Sequence, residues 1–569
     1  MFTVRAYLLL CRERGGMGLP RGRKGIFLAA AVAAVAIGVA ALLVLVAAGA
    51  LTPAAASVLA GLGALAVGLT AVSLWTLRVA RRIGRFQQAE ARRAGQLSRG
   101  AVHARERAGR LFADGHIGAA VDELTPYTTV DPAADGMRRR YLSERRALGP
   151  LPPLPPPPLS APTTVPGRVL HLVTNSLPVT RAGYTVRTQR ILTAQRAAGL
   201  DPHAVTFAGY PTPKDKDTAP LIEVEGIPYH RITPGEYYPG MQERIDDSIR
   251  GVTALAKELC PAVLHAASGN KNATIALNVG RALGIPVVYE LRGLLEESWL
   301  AREGSHDRRG SEWYRLTLER ETSLAREADA VVTLAETMRQ RILERGVDPE
   351  RITLALNAVD ESLLTERPDG DAFRARHGIA PEEFVVGSVS SLHAYEGFAT
   401  LIDAVALMHE NDRAVRVLLV GDGKVRAELL QRAERLGIRE ACVLPGRVDP
   451  VEALQAQAAL DVMVVPRVDA GVTRLVTPLK PVEAMAYGVP VVASDLPALR
   501  ELLADGRAGT LVPPGDASSL ADAVTRLRKD DVLREEKVAA ALEEVRTRRT
   551  WPRVVEAYRD LYGRLGALD

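Results

Sequence analysis

Short apolar runs rich in valine and leucine recur along the chain from residue 168 and alternate with longer amphipathic stretches. Two examples are residues 168–174 and 384–389. Short apolar runs are typical of strands covered on both faces, and the stretches between them have the spacing of helices. A strand, a loop containing Gly183, a helix and a second strand open the series. This order predicts an α/β fold with doubly wound parallel sheets.

Residues 474–494 combine a loop, a short helix, a tight stop and a valine-rich strand. Pro481 suits the first helical position, since its missing N–H would have no partner there. Lys480 is then expected at the N-cap, because the residue before a proline avoids the α region. Glu483 falls in the first turn, where the helix dipole favours a carboxylate. Gly488 fits the left-handed position that ends the helix.

The start of this helix is also a candidate binding site. Free backbone N–H groups and the charge of Lys480 would attract an anion, and Glu483 would accept hydrogen bonds from hydroxyl groups. A diphosphate that carries a ribose needs this combination. On the local pattern alone, a capped helix packed on a parallel sheet is an equally good interpretation.

Two long apolar stretches, residues 26–48 and 55–77, precede the α/β region. Each exceeds the roughly 20 residues needed to cross a bilayer. Basic residues flank the pair on both sides, which by the positive-inside rule predicts a transmembrane helical hairpin over 26–78 with both ends cytoplasmic. Residues 1–25 would form a basic cytoplasmic N-terminus. A signal peptide is the competing interpretation of the first stretch.

Charge and cysteine content agree with a membrane-facing segment attached to a soluble domain. Residues 1–150 hold 21 Lys and Arg against 9 Asp and Glu, although the net charge of the 569-residue chain is only +5. A basic front and a mildly acidic remainder argue against a nucleic-acid enzyme and suit a membrane-facing segment. The three cysteines cannot form a disulfide framework, which favours a reducing compartment.

The segment between the apolar stretches and the α/β region has two parts. Residues 79–148 are rich in Ala, Arg and Glu and are expected to be helical, either as a solvated juxtamembrane helix pair or as one hairpin similar to a lone tetratricopeptide unit. Residues 149–167 form a proline-rich linker, a semi-rigid spacer of roughly 50 Å. A docking site for a proline-binding partner is the alternative for the linker.

Three motifs in combination resemble the family-four retaining glycosyltransferases: Pro478-Leu479-Lys480-Pro481, Glu483-Ala484-Met485-Ala486 and Gly488-Val489-Pro490-Val491-Val492. The resemblance implies the GT-B fold, in which two Rossmann-like domains face a cleft. These domains would span 168–365, on the acceptor side, and 366–550, on the donor side, with a last helix in 551–569 crossing back. Glu483 would bind the ribose of a nucleotide sugar, and Lys480 its diphosphate.

The resemblance extends to further donor-binding positions, namely Gly183, Gly421, Arg447 and Val448. The chain also departs from the family. Ser391 and Glu396 stand where an arginine and a lysine often contact the diphosphate, so Arg474 and Lys480 are the expected replacements. Leu475 stands where a glutamate often contacts the sugar.

The strand at residues 286–291 ends in Glu290-Leu291-Arg292-Gly293. Ligands of α/β sheets lie at the carboxyl ends of strands, and the family places a sugar-contacting histidine where this chain has Arg292. Arg292 would either hold an acidic group of the substrate or form a salt bridge with Glu290. Glu290, Arg292 and Lys480 are thus the candidate catalytic residues. His265, on an apolar strand, is expected to be a core histidine.

These features predict a retaining glycosyltransferase that moves a hexosyl-type sugar from a nucleotide sugar to a lipid-linked or glycan acceptor at the cytoplasmic membrane face. No Asp-x-Asp motif is positioned as a metal clamp and no His/Cys cluster has zinc spacing, so neither a metal nor another cofactor is expected. A sugar-nucleotide epimerase of the same fold and a non-catalytic membrane scaffold remain alternatives.

Overall fold

The computed structural model describes residues 52–568, except 161, 162, 216, 304 and 305, together with scattered positions between 37 and 49. The chain divides into two compact units, Met1–Gly100 and Ala101–Asp569. The described part of the first unit is mainly the beginning of helix α1, Pro53–Ala113. The end of α1, from Ala101, belongs to the second unit.

The predicted membrane hairpin finds no support in the described residues. None of the helices described is both long enough and apolar enough to cross a membrane. The first predicted span, residues 26–48, lies mostly outside the described residues, and the second, residues 55–77, lies within α1.

Two helices that follow α1, namely α2 (Ile117–Leu124) and α3 (Pro132–Leu148), pack with its end into a small core. Asp131 caps α3 by accepting hydrogen bonds from the N–H groups of Ala133 and Ala134. The expected solvated pair is wrong for residues 101–148, because their apolar face packs on Leu316 of the α/β region. Periodicity predicts that a helix has an apolar face, but not which element covers it.

An eight-stranded sheet forms the first sheet domain. Its order is β3-β4-β2-β1-β5-β6-β7-β8, and all neighbours are parallel except β3 and β4. The predicted first strand is confirmed, although it begins three residues earlier than expected. The strands are β1 Val165–Val173, β2 Asp201–Thr206, β3 Leu221–Val224, β4 Ile227–Arg231, β5 Pro261–Ala267, β6 Val287–Leu291, β7 Ala330–Thr333 and β8 Ile352–Leu354.

Helices connect these strands and cover both faces of the sheet. They are α4 Gly183–Ala197, α5 Met241–Leu259, α6 Asn270–Leu283, α7 Leu295–Glu303, α8 Glu312–Glu327 and α9 Glu336–Glu344. Strands β5, β6 and β7 are buried along their whole length, as their apolar runs predict.

A six-stranded parallel sheet of order β11-β10-β9-β12-β13-β14 forms the second sheet domain. Its strands are β9 Phe384–Val389, β10 Val415–Val420, β11 Cys442–Gly446, β12 Val462–Val465, β13 Val491–Ser494 and β14 Thr510–Val512. Its helices are α10 Gly370–Arg376, α11 Phe398–His409, α12 Arg426–Arg435, α13 Pro450–Ala458, α14 Gly471–Leu475, α15 Lys480–Ala486, α16 Pro497–Leu502, α17 Ala517–Lys529 and α18 Asp531–Arg548.

The last helix, α19 (Trp551–Arg564), returns to the first sheet domain, as the sequence predicts. Its Trp551, Tyr558 and Tyr562 are buried with side chains of β1, β5, β6 and β7. The two crossover segments run side by side, since Val359 and Thr550 form a β-bridge. The two sheet domains are therefore tied by both crossovers, and the carboxyl ends of their strands carry the candidate site.

Candidate functional site

Helix α15 forms where the sequence predicts it, but one residue earlier. Leu479 is the N-cap and Lys480 is the first helical residue, so the assignment of Lys480 to the N-cap is wrong. Pro481 follows inside the first turn, where its missing N–H costs no hydrogen bond. Gly488 takes a positive φ of 73°, and the N–H of Val489 bonds back to the carbonyl of Ala484. The left-handed conformation of Gly488 ends helix α15, and the chain continues into β13.

Lys480 and Glu483 meet on the first turn of α15. Lys480 Nζ lies 3.1 Å from Glu483 Oε2, and Gln457 Nε2 donates to the same oxygen at 2.6 Å. The lysine side chain is 37% exposed and the glutamate 12%. The pair is therefore open enough to exchange partners, while Gln457 fixes the orientation of the carboxylate.

The surroundings of Glu483 are polar and acidic. Burial raises the pKa of Tyr487, and the charges of Glu483 and Asp360 raise it further. Burial likewise raises the pKa of Asp360, against the opposing effect of Arg190. The Tyr487 hydroxyl and Gln457 Oε1 are buried without a hydrogen-bond partner among the described residues. Unpaired buried polar atoms are costly, so these two are ready partners for a polar ligand or water.

Glu290 and Arg292 lie together at the end of β6, in what we call the Glu290 cluster (Glu290, Arg292, Arg187, His265 and Tyr558). Glu290 Oε2 lies 2.9 Å from Arg292 Nη2 and 3.0 Å from His265 Nε2. Its Oε1 accepts from Arg187 Nη2 at 3.3 Å and from the Tyr558 hydroxyl at 3.1 Å. The salt bridge, one of the two alternatives for Arg292, is thus present.

Electrostatics keep this cluster charged. Burial alone would raise the pKa of Glu290, but Arg292, His265 and Arg187 hold it well below its usual value. Burial lowers the pKa of His265, which is fully buried and also bonds Tyr562 through Nδ1 at 2.8 Å. The expectation of a core histidine is confirmed.

A second buried ion pair supports the loop before α15. Arg467 donates to Glu396 Oε2 through Nε and to Oε1 through Nη2, both at 3.0 Å, and to the carbonyl of Val476 at 2.9 Å. Glu396 therefore presents no unpaired charge at the expected diphosphate position. The sequence analysis did not single out Arg467. The feature that could have identified it is an arginine two residues after an apolar strand, at the sheet edge where ligands bind.

The remaining predicted donor residues are placed differently from one another. Arg474 is exposed and forms a two-bond pair with Asp469. Gly183 opens helix α4, with empty space where a Cβ would lie. Gly421 is needed for packing, because a Cβ there would lie 1.9 Å from the carbonyl oxygen of Ser390. Arg447 is exposed and Val448 half-buried in the segment after β11. Their contacts with a donor stay predictions.

A metal requirement is not tested by the coordinates. Within the described part of the chain, no three His, Cys, Asp or Glu side chains are grouped so that they could hold a metal ion. The expectation of metal-free chemistry therefore remains a prediction about the reaction.

Two family models match the two sheet domains. Residues 383–530 match the family described as "Glycosyl transferases group 1", and residues 182–358 match the "Glycosyl transferase 4-like domain". The two matches lie within the second and the first sheet domain respectively.

Similar curated proteins are glycosyltransferases by name. The phosphatidyl-myo-inositol mannosyltransferase of Mycobacterium leprae is 41% identical over 151 residues, which are 26% of this chain and 38% of that protein. The D-inositol 3-phosphate glycosyltransferase of Thermomonospora curvata is 32% identical over 254 residues, 42% of this chain and 57% of that protein. The chain thus spans about two to three fifths of the length of these relatives.

Solved structures share the fold. HepE from Anabaena, in complex with UDP and glucose, matches with a TM-score of 0.54 and 23% identity over 70% of this chain and 99% of its own. Sucrose-phosphate synthase from Thermosynechococcus elongatus matches with a TM-score of 0.55 and 19% identity over 71% and 100%. The body of this chain is therefore built from two glycosyltransferase domains, of the 4-like type over residues 182–358 and of the group 1 type over residues 383–530.

Proposed function

We propose that this chain transfers a sugar from a nucleotide-sugar donor, with its donor site at the start of α15. The observation that carries the proposal is the Lys480–Glu483 pair, partly exposed and oriented by Gln457, within the domain that matches the group 1 glycosyltransferases. Glu483 accepts hydrogen bonds from the ribose, and Lys480 neutralises the diphosphate. Two structures of similar fold are described as complexes with UDP and with UDP-glucose, which supports a nucleotide donor here.

Lys480 carries most of the proposed chemistry. Negative charge builds on the departing diphosphate during transfer, and a fixed cation in a cleft of low dielectric stabilises it. Removing one such group typically slows turnover about 10²–10³-fold. The dipole of a two-turn helix contributes only about 0.3–2 kcal/mol, so the lysine outweighs it. Retention of configuration and a hexosyl-type sugar are part of the proposal through the family resemblance alone.

The acceptor is proposed to be a lipid-linked or glycan molecule at a membrane. One relative is named for a lipid acceptor, phosphatidyl-myo-inositol, and the apolar stretches at residues 26–48 and 55–77 would hold the chain near a bilayer. In the structure, several large apolar side chains of α1 are exposed, among them Val58, Leu65, Val72 and Trp75. We propose that the body lies on the cytoplasmic side. Release of the full chain from membranes by alkaline carbonate would contradict the proposed attachment to the bilayer, and protease access to the body from the outer side would contradict its cytoplasmic placement.

The test of the activity is release of nucleoside diphosphate from a panel of nucleotide sugars, with calorimetry for binding. The Lys480→Ala variant is expected to lose turnover, while Lys529→Ala, which changes an exposed lysine of the same domain, keeps it. Interconversion of the donor sugar without release would instead support an epimerase. A full chain that neither binds nor cleaves any donor would support a scaffold.

A further inference from the structure

The side chain of Asn357 bridges the two sheet domains just before the crossover. Its Oδ1 accepts from Arg187 Nη1 at 2.7 Å, and its Nδ2 donates to the carbonyl oxygen of Thr477 at 2.8 Å. Arginine can only donate and a carbonyl can only accept, so both contacts fix the same orientation of the amide. All three residues are buried. Asn357 therefore links the side chain of Arg187 to the backbone at Thr477 through two hydrogen bonds.

Arg187 is itself held rigidly. It donates to the carbonyl oxygens of Ala355 at 2.8 Å and Leu356 at 3.1 Å, and it pairs with Glu290 at 3.3 Å. Its guanidinium carbon also lies 5.6 Å from the ring centre of Trp551. One guanidinium thus joins helix α4, the ends of β6 and β8, and helix α19. With this many partners the guanidinium cannot move easily, so it holds the Asn357 side chain in one position.

The segment that Asn357 contacts leads directly into α15. Three successive carbonyl groups of this segment each accept a hydrogen bond from a distant side chain: that of Leu475 from Thr337, that of Val476 from Arg467 and that of Thr477 from Asn357. Thr337 and Asn357 belong to the first sheet domain. Three residues after Thr477 comes Lys480. The segment has little conformational freedom left, and much of its restraint comes from the opposite domain.

We propose that Asn357 is a positioning residue for the donor site: its bond to the Thr477 carbonyl sets the backbone that aims Lys480 and the start of α15 at the diphosphate. This inference rests on the proposed function. It makes donor binding depend on a contact between the two domains, so the site is complete only when they are closed as they are here.

The test is the Asn357→Asp variant of the full chain, titrated calorimetrically with UDP, GDP and ADP. Aspartate keeps the contact with Arg187, now as an ion pair, but it cannot donate to the Thr477 carbonyl and places a charged oxygen against it. We expect affinity for the diphosphate that binds the wild type to fall about tenfold, the effect of one lost hydrogen bond. The new ion pair with Arg187 opposes the cost of the lost hydrogen bond, so the thermal unfolding midpoint is expected to change by less than about 4 °C.

The matched control is Thr477→Val, which removes the hydroxyl but leaves the carbonyl that Asn357 contacts. Its affinity is expected to stay within about twofold of the wild type, since the Asn357 contact to this hydroxyl is long, at 3.3 Å. Three results would overturn the role of Asn357: unchanged affinity in Asn357→Asp, equal losses in both variants, or an affinity loss in Asn357→Asp that accompanies an unfolding midpoint lowered by more than about 4 °C. A wild type that binds none of the three diphosphates would overturn the proposed function and this inference with it.

Discussion

The two carboxylates of the candidate site, Glu290 and Glu483, differ in how far the protein encloses them. Glu290 is fully buried, and both of its oxygens are occupied by partners from β5, β6, α4 and α19. In the Lys480–Glu483 pair the lysine is 37% exposed, and both contacts to the glutamate fall on a single oxygen. One carboxylate has a closed set of protein partners, and the other still has room for a ligand.

This difference predicts that Glu290 holds the fold, while the Lys480–Glu483 pair is open to the proposed donor. A buried carboxylate loses several kcal/mol of solvation, which only a complete set of partners can offset. A partly exposed ion pair contributes about 0–1 kcal/mol, so exchanging its partner for a phosphate or a ribose costs little. We therefore assign Glu290 a mainly architectural role, while Glu483 and Lys480 keep their predicted place in the donor site.

The Glu290→Gln variant tests whether the buried carboxylate stabilises the fold, and it should have the largest effect. It leaves the guanidinium groups of Arg187 and Arg292 buried without their counter-charge. Breaking a buried ion pair from one side typically costs about 3–5 kcal/mol, and we expect the free energy of unfolding to fall by that amount. Chemical denaturation measures it. A loss below about 1 kcal/mol would mean that the cluster does not hold the fold.

The matched change at the other carboxylate, Glu483→Gln, should act on binding instead. Hydrogen bonds to a charged group are worth about 1.5–3 kcal/mol, so affinity for the nucleotide donor should fall about tenfold to a hundredfold. The free energy of unfolding should change by less than about 1 kcal/mol. Calorimetry and denaturation measure the two effects, with Glu536→Gln, at an exposed position of α18, as the control. Equal effects on stability from Glu290→Gln and Glu483→Gln would remove the distinction.

Burial around the first sheet also gives the stability a pH dependence. Burial is the main cause that lowers the pKa of four histidines, and it brings His230 to about 4. These histidines are His171, His203, His230 and His265. Below the unfolded pKa of about 6.5, unfolding takes up a proton at each of them. Stability should therefore decline as the pH falls, by up to about 1.4 kcal/mol per pH unit for each histidine.

The His230→Gln variant tests one of these contributions. Between pH 6.5 and about 4, its unfolding free energy should decline less steeply than that of the wild type, by about 1.4 kcal/mol per pH unit. The matched control replaces His103, which is exposed on α1, by glutamine. Parallel curves for the wild type and His230→Gln would show that His230 does not titrate differently on folding.

The sequence predicted the parts of the molecule that depend on short-range pattern. The apolar runs predicted both sheets, and the spacing of Lys480, Pro481, Glu483 and Gly488 predicted helix α15, but not the ion pair that Lys480 forms with Glu483. The partners of the buried charges could not be predicted, because they are far apart in the sequence. Arg467 and Glu396 are separated by 71 residues, and Arg187 and Asn357 by 170. No periodicity encodes such pairings. Each of these pairs joins distant parts of one sheet domain, so it forms only when that domain is folded.

The smallest expected effect comes from Tyr558→Phe, which removes one neutral donor from Glu290 and leaves the other three partners in place. One hydrogen bond contributes about 1 kcal/mol, so the variant should lose about a quarter of what Glu290→Gln loses. Denaturation of both variants under one set of conditions gives the ratio. A loss as large as that of Glu290→Gln would show that the Tyr558 hydrogen bond is essential to the Glu290 cluster. The arginines would then be unable to hold the carboxylate by themselves, and the packing of α19 on the first sheet domain would be required for the cluster to form.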